Sequence, residues 1–168
     1  PPSHWLHLER PLAEMENGDR VLISWNGSMF EYLMPELLTR SYPRTLLYES
    51  NRAAVRRQIA YAQSKGVPWG ISEAAYYQFD ANLAYQYRGF GVPGLGRKRG
   101  LGDDLVIAPY ATLLALPVFP KEAVRNIQAL IKEGLLGSYG FYDAIDYTPE
   151  RLPIGRKSAI VKSYMVHH

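Results

Sequence analysis

The sequence predicts a mainly α-helical fold, built from α/α hairpins with long connecting loops. Apolar residues recur at helical spacing in separate runs of about a dozen residues, and prolines or glycines delimit the runs. No pair of alternating strands joined by a hairpin turn is visible. An internal repeat also superposes residues 69–77 on residues 139–147, which is typical of a repeated structural unit.

The N-terminal part is expected to be irregular or extended over residues 1–24. A first helix is then predicted through Met29–Thr39. Ser28 is the expected N-cap, with Glu31 three positions later as in a capping box. Pro35 falls inside this run and should kink or shorten it, because a proline ring cannot continue the hydrogen-bond ladder.

The second predicted helix, Arg52–Lys65, follows Asn51 as its cap and ends at Gly66. A third helix is expected to run from Ser72 or Glu73 to Tyr87. A glycine-rich loop follows, from Gly89 to Gly102.

Two further helices are predicted, Tyr110–Leu116 and Lys121–Glu133, each with a proline at its start. The segment Ser158–His168 is expected to form a last helix. The predicted buried stripe of the fifth helix comprises Val124, Ile127, Leu130 and Ile131.

Composition limits the classes of protein that fit. The chain has 168 residues, 47% of them hydrophobic, which suits one globular unit. It has no cysteine, which excludes disulfides and thiolate catalysis. No apolar run approaches the roughly 20 residues of a membrane span. The net charge of +3 is too small to favour nucleic-acid binding.

Because the N-terminus has neither an initiator Met nor a signal peptide, we expect a piece of a longer protein, residues 1–168 forming one segment of a domain.

The repeat places an acid at the same point of both copies, Glu73 in the first and Asp143 in the second. Asp146 lies one helical turn beyond Asp143, so the two would share an environment and repel each other, raising one pKa. A carboxyl group in an aromatic cleft is the arrangement that raises a pKa for acid catalysis. We therefore expect Glu73, Asp143 and Asp146 to be catalytic. The structural alternative is a Glu73 that stabilises the first turn of a helix, with one Asp of the pair as a cap and the other solvated.

Aromatic residues are the second signal, with 13 Tyr and 3 Trp in the chain. Tyrosine can fill a core as an amphipathic side chain, or it can line a cleft that binds sugars. The aromatic residues nearest the paired acids are the expected sugar-binding residues: Trp69, Tyr76, Tyr77, Tyr142 and Tyr147. Glu31 is a weaker candidate for the same role, since a salt bridge would explain it as well.

The glycine-rich loop resembles a nucleotide-binding loop only superficially. Gly91–Gly96 follows no apolar strand, and Lys98 is followed by Arg99 in place of Ser or Thr, so the P-loop pattern fails. Lys98 remains a candidate contact for an extended ligand that this loop would cover. No metal site is expected, because the four histidines lie at the two ends of the chain: His4, His7, His167 and His168.

Six segments in collinear order carry a resemblance to a known family. They are Ser24-Trp25-Asn26-Gly27-Ser28-Met29-Phe30-Glu31-Tyr32-Leu33-Met34-Pro35, Val67-Pro68-Trp69-Gly70-Ile71-Ser72-Glu73, Phe90-Gly91-Val92-Pro93-Gly94-Leu95-Gly96, Ala108-Pro109-Tyr110-Ala111-Thr112, residues 139–147 and Ser163-Tyr164-Met165-Val166-His167-His168. Together they resemble the glucoamylase-like middle domain of the cyclic β-1,2-glucan synthases. The family pattern has Glu where this chain has Asp143, and it matches at Glu73.

The resemblance implies an (α/α)6 toroid, of which this chain would be a part. It implies a parent enzyme of the bacterial inner membrane that builds β-1,2-glucan from UDP-glucose, with this segment soluble, on the cytoplasmic side and free of a cofactor of its own. The implied reaction is the transglycosylation that closes a linear glucan into a ring, and the implied partners are the glucan and the remaining domains. A non-catalytic glucan-binding or structural segment of the same synthase is the alternative.

Overall fold

The computed structural model describes residues 1–7 and 9–168; Leu8, within the predicted irregular stretch, lies outside the described residues. The described α-helices are α1 (Met29–Leu33), α2 (Leu46–Lys65), α3 (Pro109–Leu114) and α4 (Pro120–Lys132). The described strands are β1 (Leu12–Glu14), β2 (Arg20–Leu22), β3 (Ala74–Phe79), β4 (Tyr85–Arg88), β5 (Val106–Ile107), β6 (Leu136–Gly137), β7 (Gly140–Phe141), β8 (Ala144–Asp146) and β9 (Ala159–Val161). Short 3-10 segments occupy Pro2–His7, Met34–Leu37 and Pro149–Arg151.

The expectation of a mainly α fold is not met. The helices account for fewer than half of the residues, and four small antiparallel sheets supply most of the remaining regular structure in the described chain. Strands β5, β8 and β9 form a three-stranded sheet with β8 in the centre. The other sheets are two-stranded hairpins. The prediction of long connecting loops is confirmed.

The predicted ends of the helices agree best with the structure where capping chemistry is explicit. The capping box of Ser28 and Glu31 is present, and the chain changes to a 3-10 segment before Pro35 as expected. Helix α2 starts six residues earlier than predicted because Thr45, and not Asn51, is its N-cap. It ends at Gly66, whose φ of 69° is the left-handed conformation that glycine adopts readily.

The buried face of α4 differs from the predicted stripe. Ala123, Asn126 and Leu130 are buried, whereas Val124 and Ile131 are exposed. Asn126 is buried because its amide bonds the backbone of Trp69: its Oδ1 accepts from the N–H at 3.0 Å and its Nδ2 donates to the C=O at 2.7 Å. The helix therefore packs through a polar clamp that hydrophobic periodicity does not reveal.

The third predicted helix, from Ser72 or Glu73 to Tyr87, is instead the hairpin of β3 and β4. Its turn is built by Asp80, whose Oδ1 accepts the N–H groups of Asn82 and Ala84, and Leu83 adopts a φ of 61° there. The last predicted helix, Ser158–His168, is also absent from the described residues, because that segment contains strand β9. Tertiary pairing overrides local helix propensity in both segments.

The glycine-rich loop is fastened to the backbone that precedes α1. The N–H of Val92 donates to the C=O of Gly27 at 3.1 Å, and the N–H of Lys98 donates to the C=O of Trp25 at 2.9 Å. Gly91 is required because a Cβ there would lie 1.7 Å from the carbonyl oxygen of Asn26. The loop is thus part of the frame around residues 24–28.

No helix in residues 1–7 and 9–168 has both the length and the apolar character needed to cross a membrane.

Candidate active site

The two copies of the repeat fold into corresponding pieces of backbone. Gly70 and Gly140 have φ angles of 121° and 113°, a region that L side chains rarely adopt. Glu73 lies directly before β3, and Asp143 lies directly before β8. The repeat is therefore structural as well as sequential. Each copy leads into a strand, which corrects the prediction that a helix begins at Ser72 or Glu73.

Glu73 is half-buried beside the start of α1. The hydroxyl of Ser28 donates to Glu73 Oε1 at 3.2 Å, while its oxygen accepts the N–H of Glu31 as the helix cap. Burial raises the pKa of Glu73, the hydrogen bond from Ser28 opposes that rise, and the negative charge of Glu31 adds to it. A carboxyl group in this setting holds its proton to higher pH than an exposed one.

Asp143 has a fully buried side chain. Its Oδ2 accepts the N–H of Ala75 at 2.7 Å, and its Oδ1 lies 2.5 Å from Nδ1 of His168. A backbone donor and an imidazole thus hold both oxygens, so the carboxylate is fixed in position.

Three ring side chains connect Glu73 with Asp143. His168 stacks on Tyr110, with ring centroids 3.9 Å apart and an angle of 17° between the planes. The Tyr110 hydroxyl lies 3.1 Å from the backbone oxygen of Glu73, to which it donates. The Tyr87 hydroxyl lies 3.3 Å from Nε2 of His168. Burial, followed by the charges of Glu73 and Asp143, raises the pKa of Tyr87 to about 12.

Sequence reasoning missed these three rings. His168 was considered only as a metal ligand, and nothing in the spacing of the chain links it to Tyr87 or Tyr110. The burial of Tyr110 raises its pKa, with smaller contributions from the charges of Glu73 and Asp143, so both tyrosines stay neutral. The cluster comprising Glu73, Tyr87, Tyr110, Asp143 and His168 is called the acid cluster below.

A cavity of about 420 Å³ opens beside the acid cluster. Its walls include Tyr110, Tyr142, Asp143 and His168, together with Tyr164, whose ring centroid lies 5.1 Å from that of Tyr142. Aromatic rings bordered by polar groups suit a sugar, which has apolar faces and hydroxyl edges. The predicted position of Tyr142 in a cleft is consistent with this cavity.

Asp146 does not share the environment of Asp143. Its fully buried side chain is paired with Arg151, with Nε 2.7 Å from Oδ2. It also accepts the backbone N–H of Tyr77 at 3.0 Å and that of Thr148 at 2.9 Å. The two acids therefore have separate sets of partners. Asp146 is placed as a structural ion pair.

The other predicted sugar-binding rings lie outside the cavity wall. Trp69 is buried against α4 by its backbone bonds to Asn126. Tyr76 is buried edge-on to Phe90, with the guanidinium of Arg151 4.9 Å from its ring centroid. Each is part of the core at its position.

Tyr77 and Tyr147 end the two copies of the repeat. Tyr77 packs at 5.6 Å on Phe79, edge to face. Tyr147 is partly buried, and its hydroxyl has no hydrogen-bond partner among the described residues. Neither side chain is brought to the acid cluster.

Glu31 and Lys98 bind the protein's own backbone. Glu31 Oε2 accepts the N–H groups of Asn26 and Gly27, both at 2.9 Å, so its carboxylate shapes this loop. Lys98 Nζ donates to the C=O of Gly89 at 3.0 Å, and it borders a second cavity of about 580 Å³. Arg88 and Arg151 border that cavity too, but both are paired with Asp104.

Within the part of the chain that the structure describes, no group of three or more His, Asp or Glu side chains is arranged to hold a metal ion.

Comparison with known proteins places this geometry in context. Residues 3–168 match a family model described as putative glucoamylase. The chain is 49% identical over 169 aligned residues to the cyclic β-(1,2)-glucan synthase NdvB of Rhizobium meliloti (strain 1021). That alignment covers 100% of this chain and 6% of the synthase.

Two solved structures share the fold. An endo-β-1,2-glucanase from Chitinophaga pinensis, in complex with sophorotriose and glucose, matches with a TM-score of 0.58 and 19% identity, over 90% of this chain and 37% of that chain. A β-1,2-glucanase from Parabacteroides distasonis matches with a TM-score of 0.50 and 21% identity, over 80% of this chain and 20% of that chain. At these identities the likeness is one of fold, and this chain spans a minority of each of these relatives.

Proposed function

This chain belongs to that glucoamylase family, and on this premise we propose that it forms part of a domain that acts on β-1,2-glucan. The relative with 49% identity is a cyclic β-1,2-glucan synthase, and two of the solved structures that share this fold are β-1,2-glucanases. Substrate binding in a cavity lined by tyrosines agrees with a glucan ligand.

The proposed parent is a cyclic β-1,2-glucan synthase of the bacterial inner membrane, whose other domains build the glucan from UDP-glucose. The remainder of an (α/α)6 toroid would complete the cleft around this segment. Exposed apolar side chains before and at the start of α2 support such a neighbour, because a large apolar patch is unusual on a free surface. These side chains are Leu37, Leu38, Tyr42, Leu46 and Leu47.

The observation that carries the catalytic proposal is the half-buried Glu73 in the acid cluster. Its raised pKa keeps a proton available, and that proton is donated to the oxygen of the glycosidic bond as the bond breaks. The departing sugar carries away the proton. The remaining glucan end is then transferred to the oxygen of a sugar hydroxyl, which closes a ring, or of water, which cleaves the chain, and the proton that this oxygen loses returns to Glu73.

Asp143 is the proposed second carboxylate. Its fixed negative charge stabilises the positive charge that develops on the sugar ring in the transition state. Asp146 was expected to share this role, but the ion pair with Arg151 neutralises it. Asp143 is therefore the favoured partner of Glu73.

The decisive experiment compares Glu73→Gln with Glu49→Gln in the full-length protein. Glu49 is an exposed acid on α2 and serves as the matched control. We expect Glu73→Gln to lower the rate of glucan transfer by about 10²–10⁴-fold, because general acid catalysis contributes that much, while the dissociation constant for linear β-1,2-glucan stays close to that of the wild type. The control should behave as the wild type.

One observation favours the alternative of a non-catalytic glucan-binding segment: both oxygens of Asp143 already have protein partners. Near-normal ring formation by Glu73→Gln, together with weakened glucan binding, would support that alternative and overturn the catalytic proposal.

A further inference from the structure

Asp143, His168 and Tyr87 form a hydrogen-bonded chain whose direction follows from their chemistry. Asp143 Oδ1 lies 2.5 Å from Nδ1 of His168, and a carboxylate only accepts, so Nδ1 carries the hydrogen. In the neutral imidazole Nε2 is then an acceptor, and it lies 3.3 Å from the Tyr87 hydroxyl. In that tautomer the phenol donates to Nε2 of His168, which leaves its oxygen lone pairs free to accept.

The burial of the three groups shows which of them can meet a ligand. The Asp143 side chain has no exposed surface, and that of His168 is only 8% exposed. Tyr87 is 46% exposed and lies at the outer end of the chain of hydrogen bonds. The buried carboxylate of Asp143 is thus linked through the imidazole of His168 to the partly exposed phenol of Tyr87.

We propose that His168 is a positioning residue that orients the Tyr87 hydroxyl, and that the Tyr87 oxygen accepts a hydrogen bond from a hydroxyl group of the glucan. The glucan as ligand rests on the proposed function above. In this role His168 acts through Tyr87, as the group between the carboxylate of Asp143 and a partly exposed hydroxyl.

The surroundings of His168 fix its orientation on three sides. Asp143 holds Nδ1, Tyr87 lies at Nε2, and Tyr110 stacks on the ring at 3.9 Å. The Tyr110 hydroxyl is in turn bonded to Ser72 Oγ at 2.7 Å and to the C=O of Glu73. The same frame therefore links the ring of His168 to the backbone of Glu73.

The environment of Tyr87 suits a neutral acceptor. Its pKa is raised to about 12 by burial and by the charges of Glu73 and Asp143, so the phenol keeps its hydrogen for His168 at neutral pH. A sugar hydroxyl that donates to the phenol oxygen gains electron density on its own oxygen through the polarised chain. A sugar hydroxyl oriented in this way is suited to act as the acceptor in a transfer reaction.

The test is a double-mutant cycle with Tyr87→Phe and His168→Asn in the full-length protein. Tyr87→Phe removes only the hydroxyl. The Asn side chain keeps a short donor for Asp143 and loses the contact with Tyr87. Tyr85→Phe, on the same strand, is the control. We expect each single variant to lower kcat/KM for linear β-1,2-glucan about tenfold, the cost of one hydrogen bond, and the control to be unchanged.

The energetic coupling between the two substitutions distinguishes a positioning role of His168 from independent structural damage. If His168 acts only through Tyr87, the double variant should lose about tenfold, as each single variant does. Independent losses would multiply to about a hundredfold and would overturn the proposal. Should His168→Asn fail to fold, Tyr87→Phe against Tyr85→Phe still decides, and wild-type kcat/KM for Tyr87→Phe would overturn it.

Glu73→Gln separates this inference from the proposed function. Loss of glucan transfer in Glu73→Gln with full activity in Tyr87→Phe would overturn the role of the chain of hydrogen bonds and leave the catalytic proposal intact. Full activity in Glu73→Gln would overturn the proposed function itself.

Discussion

The two copies of the repeat, residues 69–77 and 139–147, share a backbone course but give their acids different surroundings. Glu73 receives one hydroxyl hydrogen bond and has a raised pKa. Asp143 is held by a backbone N–H and an imidazole, and its side chain is fully buried. Two acids at the same position of a repeated motif thus differ in burial and in hydrogen-bond partners.

The largest expected contrast is in stability. Asp143→Ala leaves the N–H of Ala75 and the ring of His168 without their buried partner, so we expect the free energy of unfolding to fall by about 3–5 kcal/mol. Glu73→Ala removes a carboxyl group that burial disfavours when ionised, so its effect should stay within about 1 kcal/mol. Urea denaturation measures both. Equal losses of unfolding free energy in the two variants would contradict the inferred difference between the two acids.

The next contrast concerns the two glycines that precede the acids. A Cβ at Gly70 would lie 3.1 Å from the carbonyl oxygen of Ala108, whereas a Cβ at Gly140 meets nothing within 4 Å. Both substitutions by Ala force a residue into an unfavourable φ, at a cost of about 1–2 kcal/mol. Gly70→Ala should therefore lose more stability than Gly140→Ala in the same denaturation experiment. The reverse order would show that the two turns are not equivalent.

A pH series sharpens the difference at Glu73. Burial raises its folded-state pKa above the ordinary value of a glutamate, so its contribution to stability is fully present below the unfolded pKa and is lost as pH rises through the folded pKa. Relative to the wild type, Glu73→Gln should therefore become progressively more stable across that window. Thermal unfolding at a series of pH values checks this. A stability difference that does not change with pH would contradict the raised pKa.

The smallest expected effect lies at the last residues of the two copies. The Tyr147 hydroxyl is buried without a partner among the described residues, so Tyr147→Phe should raise the free energy of unfolding by about 1 kcal/mol. Tyr77 is half-buried and packs through its ring, so Tyr77→Phe should change it by less than about 0.5 kcal/mol. A loss of stability in Tyr147→Phe would reveal a partner for that hydroxyl.

Local capping chemistry was predictable from the sequence. The capping box of Ser28 and Glu31, the helix end at Gly66 and the helix starts at Pro109 and Pro120 all appear in the structure. Each depends on side chains and backbone within a few residues of one another. The internal repeat was also visible in the sequence, and it predicted that Glu73 and Asp143 occupy corresponding positions.

Long-range pairing was not predictable in the same way. Ser72 and Glu73 resemble a helix start, and the alanines that follow have high helix propensity, yet Ala75 and Tyr77 donate their N–H groups to acids of the second copy. His168 carries no sequence signal for its contact with Asp143 and Tyr87. Contacts between residues this far apart are set by the tertiary fold, and the pattern of a single sequence does not reveal them.

The bonds from Asp143 and Asp146 to β3 have a consequence for self-association. The backbone donors of Ala75 and Tyr77 point away from β4 and would otherwise form an open sheet edge. Open edges recruit strands from other molecules and start aggregation. The two carboxylates occupy those donors, so this rim of the hairpin cannot template a further strand. The pair of acids thereby satisfies the backbone donors of this edge, whatever either residue contributes to chemistry.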